Sequence, residues 1–177
     1  VRRLELKTPN EEVRVSGRFQ TKGTFHAALS GDVSNLGHLP VQVAVPFAAG
    51  LGLESECRGN WRKRRVSSRS TALLRNLSGL PPDILVLTGD SPRLAVDLSL
   101  NGTRLDLEQG LLTGPHLNLK LRGGFGLEGR NLDLSWQLSG PRLEQFGFAR
   151  PGGIAGPIQA EGRLQGTLPT LKSELRA

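Results

Sequence analysis

The residues from Pro92 to Gly140 alternate apolar and polar side chains with a period of two. This alternation is typical of β-strands that have one apolar and one solvated face. The Gly, Asn, Thr and Pro residues between the runs favour turns. The sequence therefore predicts four consecutive strands with leucine on one side of a sheet. The apolar positions are Leu94, Val96, Leu98 and Leu100, then Leu105 and Leu107, then Leu117, Leu119 and Leu121, then Leu132, Leu134, Trp136 and Leu138.

The same alternation continues on both sides of this stretch, with about ten strands in all. Phe25 and Leu29 precede it, as do Val41, Val43 and Val45. Short helical turns are predicted after Leu29 and after Gly140, where apolar residues recur at intervals of three. We expect an all-β fold: an elongated curled, taco-like sheet with an apolar concave groove and one or two short helical turns.

Two stretches are harder to assign. The continuous apolar run from Ile84 to Thr88 predicts a short strand. The residues from Glu56 to Arg75 fit one more strand with a basic outer face, or a mobile loop. They include the run Arg62, Lys63, Arg64 and Arg65, which fits a solvated loop or a contact with anionic lipid headgroups or an acidic partner.

The chain organisation suggests part of a larger array. The sequence contains no Met, and we expect residues 1–177 to be a single β-rich segment of a longer, repeat-like protein. An internal echo relates residues 29–59 approximately to residues 138–166, each with a strand, a short turn, a glycine-rich joint and a strand. Two copies at this spacing favour an elongated array over a closed globule.

Composition and motifs argue against several classes of function. The net charge of +7 suits nucleic acid or anionic lipid. However, the aromatic residues are too few for stacking platforms, so we expect no nucleic-acid partner. Lone Cys57 excludes an internal disulfide, and the histidines lack metal-ligand spacing. The GxGxxG match at residues 124–129 is followed by a strand pattern and not by a helix. We expect no enzyme, no cofactor and no metal.

The leucine stripe favours a lipid-binding function. The apolar residues are mostly Leu and Val, and the predicted helical turns are too short to cover such a sheet. A curled, partly open apolar face would hold acyl chains, since burial contributes ~0.8 kcal/mol per CH₂ group without specific polar partners. The predicted lining is Phe25, Leu29, Val41, Val43, Val45, Leu94, Val96, Leu98, Leu105, Leu107, Leu117, Leu119, Leu121, Leu132, Leu134, Trp136 and Leu138.

The C-terminal residues 162–177, GRLQGTLPTLKSELRA, resemble a phrase that recurs in the TamB and wider AsmA-like family. Pro169 comes one residue earlier here than in that phrase. The segments LSGDVSNLGHLP and LSGPRLEQFGFARPGGIAGPIQAEG also resemble the turn and glycine joint that precede it.

The resemblance implies a segment of a periplasmic body, in a full-length protein anchored to the inner membrane by a helix. In that family a long apolar β-groove is implicated in carrying phospholipids toward the outer membrane. A TamA-like outer-membrane barrel protein is an implied partner, through other parts of the full-length chain.

The expected function is therefore non-enzymatic carriage of lipid acyl chains between the inner and outer membranes, with a further role in assembling outer-membrane proteins. Two alternatives stay open. A closed structural or adhesive β-domain would bury the same leucines in a dry core. A chaperone-like groove would pair its open edge with nascent outer-membrane strands.

Overall fold

The computed structural model describes residues 2–8, 11–20, 22–35, 48–140 and 156–176. The described strands form one 11-stranded antiparallel sheet in which each strand pairs with its sequence neighbours, from β1 to β11. The strands are β1 Arg2–Thr8, β2 Glu11–Phe19, β3 Thr24–Val33, β4 Ala48–Asn60, β5 Arg65–Ser78, β6 Arg93–Asn101, β7 Arg104–Thr113, β8 Asn118–Gly126, β9 Asn131–Gly140, β10 Ile158–Thr167 and β11 Thr170–Arg176. The prediction of an all-β fold is confirmed, and the sheet is open because β1 and β11 are its two edges.

The prediction of a strand at Ile84–Thr88 is wrong. These residues belong to the α-helix α1, Pro82–Thr88, which lies between β5 and β6. A continuous apolar run does not distinguish a strand from a short helix by periodicity. Pro82 in the first turn favours the helix, because its fixed φ is helical and its missing N–H would have no partner there. Gly89, with a φ of 69°, ends it.

The pairing registers divide the side chains into two faces that keep their character across the sheet. Residues paired across an antiparallel ladder lie on the same face. Leu98 of β6 is opposite Leu107 of β7, and Leu119 of β8 is opposite Leu138 of β9. We call the face that carries these four residues the leucine face. We call the other the polar face, which carries Asp97 and its cross-strand neighbours.

A β-bulge keeps this division intact within β7. The register with β6 shifts between Asp97 and Leu98, and Glu108 has no partner in that ladder. One extra residue changes the parity of the strand. Leu105 and Leu107 lie on the leucine face before the bulge, and Leu112 lies there after it, opposite Leu94.

No second layer packs on this sheet among the elements that the structure describes. Every extensive contact between them joins strands that are neighbours in the sheet. The whole chain exposes 12233 Å² of surface, whereas a compact globular protein of 19.1 kDa is expected to expose about 8,400 Å². The described part of the fold is therefore a single open sheet, and no described element packs on either of its faces.

The few buried apolar side chains gather at one end of the sheet. The described ones are Val33, Ala49, Leu77 and Leu117, at or beside the ends of β3, β4, β5 and β8. The longer connections, including α1, leave the sheet at this end, where buried Pro92 also lies. The opposite end carries only short turns.

The structure also decides the interpretation of the residues from Glu56 to Arg75. They form a hairpin of β4 and β5 joined by a turn at residues 61–64. Val41, Val43, Val45 and most of the two predicted helical turns lie outside the described residues. The described part of the chain has no helix of the length and hydropathy needed to cross a membrane.

Candidate functional site

The leucine face carries no charged side chain at any ladder position from β3 to β11. It begins with Phe25, Ala27 and Leu29 in β3 and ends with Leu171, Ser173 and Leu175 in β11. Glu108, which has no partner in the ladder at the bulge, is exposed. An apolar surface that extends without a charge over nine strands, and on which no described element packs, is typical of an interaction site.

The pairing brings the described members of the predicted lining together on this one face. In β6 to β9, several predicted residues are directly opposite one another or opposite glycine, as Leu98 is to Leu107 and Leu121 to Trp136. In β3, Phe25 is opposite Gly59 and Leu29 is opposite Ser55. Leu117 lies just before β8 and is almost completely buried. The other described members of the predicted lining are half-buried, although no described element packs on them.

The registers add residues that the predicted lining left out. These are Leu51, Leu53, Ala72 and Leu74 in β4 and β5, Leu112 and Phe125 in β7 and β8, and Ile158, Leu164 and Leu171 in β10 and β11. Alternation was visible in the sequence around Leu51 and Leu164. Leu112 could not be placed, because the bulge at Glu108 reverses the parity beyond Leu107.

A small hydroxyl cluster interrupts the leucine face in β4 and β5. Ser55 Oγ lies 2.8 Å from Ser70 Oγ and 3.4 Å from Ser68 Oγ, and the last two are 3.3 Å apart. These mutual hydrogen bonds satisfy the hydroxyl groups without water. Cys57 lies beside them, opposite Ser68, and partial burial raises the pKa of its thiol.

Glycines on the leucine face allow the backbones of neighbouring strands to approach closely. A Cβ on Gly59 would lie 2.8 Å from Val66 Cα, and one on Gly123 would lie 2.7 Å from Leu134 Cα. On the polar face, the contacts nearest to a Cβ at Gly52 or Gly124 are side-chain atoms. The close backbone approaches within these two hairpins are therefore directed toward the leucine face.

The indole of Trp136 lies on the leucine face. A Cβ on Gly162, its partner in β10, would lie 2.6 Å from Cε2 and Cζ2 of the indole. The ring therefore covers the glycine backbone, an arrangement that compensates for a missing side chain in a strand. Its half-buried indole makes Trp136 an intrinsic reporter of this surface.

The polar face is organised by ion pairs between side chains of different strands. Arg163 donates to both carboxylate oxygens of Asp133, at 2.8 and 2.7 Å, and these bonds lower the pKa of Asp133. Arg69 donates to Asp97 directly opposite, at 3.1 and 3.4 Å. Arg75 pairs with Asp32. All these groups are substantially exposed, so they define the solvated side of the sheet more than they stabilise it.

A cleft of about 810 Å³ opens on the polar face and not on the leucine face. Its walls include Arg14, Asp32, Glu54, Arg75 and Arg93. These charged residues belong to the polar face. The cleft therefore differs in position and chemistry from the expected apolar groove.

The basic run Arg62 to Arg65 lies at the end of the sheet with short turns. Arg62, Lys63 and Arg64 are exposed in the β4–β5 turn, and Arg65 begins β5. The guanidinium of Arg62 lies 5.4 Å from the ring centroid of Trp61. The run is thus a hairpin tip, separate from the centre of the leucine face.

The GxGxxG match lies in the hairpin of β8 and β9, and no helix follows it. No group of three or more His, Cys, Asp or Glu side chains is placed to hold a metal within the described ranges. The chain matches no family model, no curated protein and no solved structure. The likeness to the TamB and AsmA-like family therefore stays a prediction.

Proposed function

We propose that this chain is a non-enzymatic lipid-carrying segment whose leucine face holds acyl chains. The observation that carries the proposal is the uncharged surface from β3 to β11, on which no described element packs. Half-buried Leu and Val side chains favour an alkyl chain by area burial alone. Such a surface gives affinity without selecting one position along the strands, which suits a molecule that must move.

A curled sheet with the leucine face on its concave side is part of this proposal. The close approach of Val66 to Gly59 and of Leu134 to Gly123 supports bending toward that face, since glycine kinks and bulges curve sheets. Bending would bring leucines from non-adjacent strands around a chain and increase the apolar area that it buries. The groove would then be formed by the sheet itself.

The cellular setting is proposed from the family resemblance alone. It places the segment in the periplasm, in a protein anchored to the inner membrane, with phospholipid as the carried molecule. A TamA-like partner and a role in outer-membrane protein assembly would involve other parts of the full-length protein. The carriage of acyl chains is the part of the proposal that the leucine face supports.

The proposal is tested with Trp136 as a reporter. Because the chain has two tryptophans, Trp61→Phe leaves Trp136 as the only emitter. Lysophosphatidylcholine with a brominated acyl chain, added below its micellar concentration, is expected to quench Trp136 because bromine quenches on contact. In the Trp61→Phe background, Leu98→Arg with Leu119→Arg is expected to abolish quenching. A bound acyl chain would have to desolvate the two new charges, which opposes binding.

The matched control places the same charges on the other face. Ser99→Arg with Gln137→Arg adds two arginines to the polar face, beside the first pair of positions, and is expected to leave quenching unchanged. Circular dichroism checks that each variant is folded. An unquenched parent, or equal loss in both pairs of variants, would contradict the proposal. A leucine-face pair that unfolds while its control stays folded would favour a closed structural domain.

A further inference from the structure

The short turns at one end of the sheet form a continuous rim. They comprise residues 22–23, 61–64, 102–103, 127–130 and 168–169, and we call them the turn rim. Backbone hydrogen bonds join each turn to the next along the sheet. Trp61 N–H donates to Gly23 O at 3.1 Å, Gly102 N–H to Arg64 O at 2.9 Å, Leu127 N–H to Thr103 O at 2.8 Å and Leu168 N–H to Arg130 O at 3.1 Å. Side chains far apart in sequence are thus fixed along one line.

The turn rim is basic. Lys22, Arg62, Lys63, Arg64 and Arg130 are exposed in its turns, against a single carboxylate, Glu128. None of these five cations lies within 4.0 Å of a carboxylate in the ion pairs of the described residues. On the polar face, by contrast, Arg69, Arg75 and Arg163 each have a carboxylate partner. The positive charge of the turn rim is therefore available to an external anion.

The turn rim also exposes large apolar side chains between these cations. Trp61 is 59 % exposed, Leu127 is 48 % exposed and Leu168 is 40 % exposed. Each lies at a turn. Apolar tips flanked by Lys and Arg are typical of surfaces that enter the interfacial region of a membrane, where tryptophan is also enriched.

We infer that the turn rim docks on a bilayer that contains anionic phospholipid. The cations would contact lipid phosphates while Trp61, Leu127 and Leu168 enter the headgroup region. A nucleic acid would satisfy the cations but not the two leucines, and the indole of Trp61 already packs with Arg62. Docking would place the ends of the strands, and so one end of the leucine face, at the membrane surface.

This inference depends on the turns and not on the proposed acyl-chain binding. Its test is flotation with vesicles of phosphatidylcholine alone, or of two parts phosphatidylcholine to one part phosphatidylglycerol. The parent is expected to float only with the anionic vesicles and to lose binding at near-molar salt, where the Debye length falls to about 3 Å. Phosphatidylcholine vesicles that bind equally well would overturn the inference.

Charge reversal in two turns locates the contact. Each basic residue near an anionic surface strengthens binding about fivefold, so Lys22→Glu with Lys63→Glu is expected to weaken it at least about 25-fold. The control Lys120→Glu with Arg176→Glu makes the same change in net charge at exposed positions near the other end of the strands. Equal weakening by both pairs would mean attraction by net charge alone and would overturn the inference.

The fluorescence of Trp61 then reports how deeply the turn rim enters the bilayer. In Trp136→Phe it is the only tryptophan, and anionic vesicles are expected to shift its emission to shorter wavelength. Unchanged emission on bound vesicles would overturn the inference, as would binding to a single-stranded RNA oligonucleotide without binding to vesicles. Because this assay uses Trp61 and bilayers, whereas the acyl-chain assay uses Trp136 and monomeric lipid, each can fail independently of the other.

Discussion

The two faces of this sheet belong to the same strands, yet their side chains make different contacts: ion pairs on the polar face, and mainly apolar contacts on the leucine face. On the polar face, Asp97 and Asp133 are held by arginines of the next strand. On the leucine face, neighbours such as Leu98 and Leu107 cover one another, and three serines satisfy their own hydrogen bonds. The comparison teaches that an uncharged face was retained although no described layer buries it. We propose that this face is a binding surface.

The largest difference in stability is expected between alanine substitutions at Gly123, on the leucine face, and at Gly124, on the polar face. Gly123→Ala is expected to destabilise the fold by about 1–3 kcal/mol, because its Cβ would meet the backbone at Leu134 Cα, which cannot move aside. Gly124→Ala is expected to cost about 1 kcal/mol or less, because its Cβ meets the flexible side chains of Arg104 and Asp106. Urea unfolding monitored by circular dichroism measures both. The reverse order would mean that the sheet is not bent toward the leucine face.

The second comparison is between the rates at which iodoacetamide alkylates a cysteine on each face. Cys57 lies on the leucine face, and since burial raises the pKa of its thiol, iodoacetamide is expected to react several-fold more slowly with it than with an exposed cysteine. The comparison is Glu56→Cys in a Cys57→Ser background, one residue away on the exposed polar face. A lipid with a single acyl chain is expected to protect Cys57 and not the new cysteine. Protection of both would indicate a general effect of the lipid.

The smallest effect is expected from the ion pair of Asp133 and Arg163. Arg163 lowers the pKa of Asp133, so the folded state binds fewer protons and gains stability above the ordinary carboxyl pKa of about 3.9. That gain is lost as pH falls through the lowered pKa. Asp133→Asn should slightly decrease the urea midpoint at pH 7 and leave it unchanged in strong acid. A large decrease at pH 7 would mean that the polar face stabilises the fold.

The sequence predicted the sheet where alternation is strongest. In β6 to β9, period-two leucines and short turns leave one register that keeps the alternating leucines on one face. From Glu56 to Arg75 the sequence allows a strand or a loop, since Cys57, Ser68 and Ser70 alternate without a hydrophobic signal.

The residues Ile84–Thr88 are predicted as a strand but belong to the helix Pro82–Thr88, because a continuous apolar run has no period that distinguishes the two. The composition alone identifies Arg62 to Arg65 as a basic cluster. Lys22 and Arg130 were not linked to them, since only the pairing of the strands brings these turns into line.

The measurement that tests the central claim most directly is native mass spectrometry of the purified protein, with extraction of bound lipid. The account predicts phospholipid bound to the parent. It also predicts lipid loss in the variant Leu98→Arg with Leu119→Arg, while circular dichroism shows that its strands remain. A lipid-free parent whose variant unfolds would contradict the account, because the leucine face would then be an ordinary core.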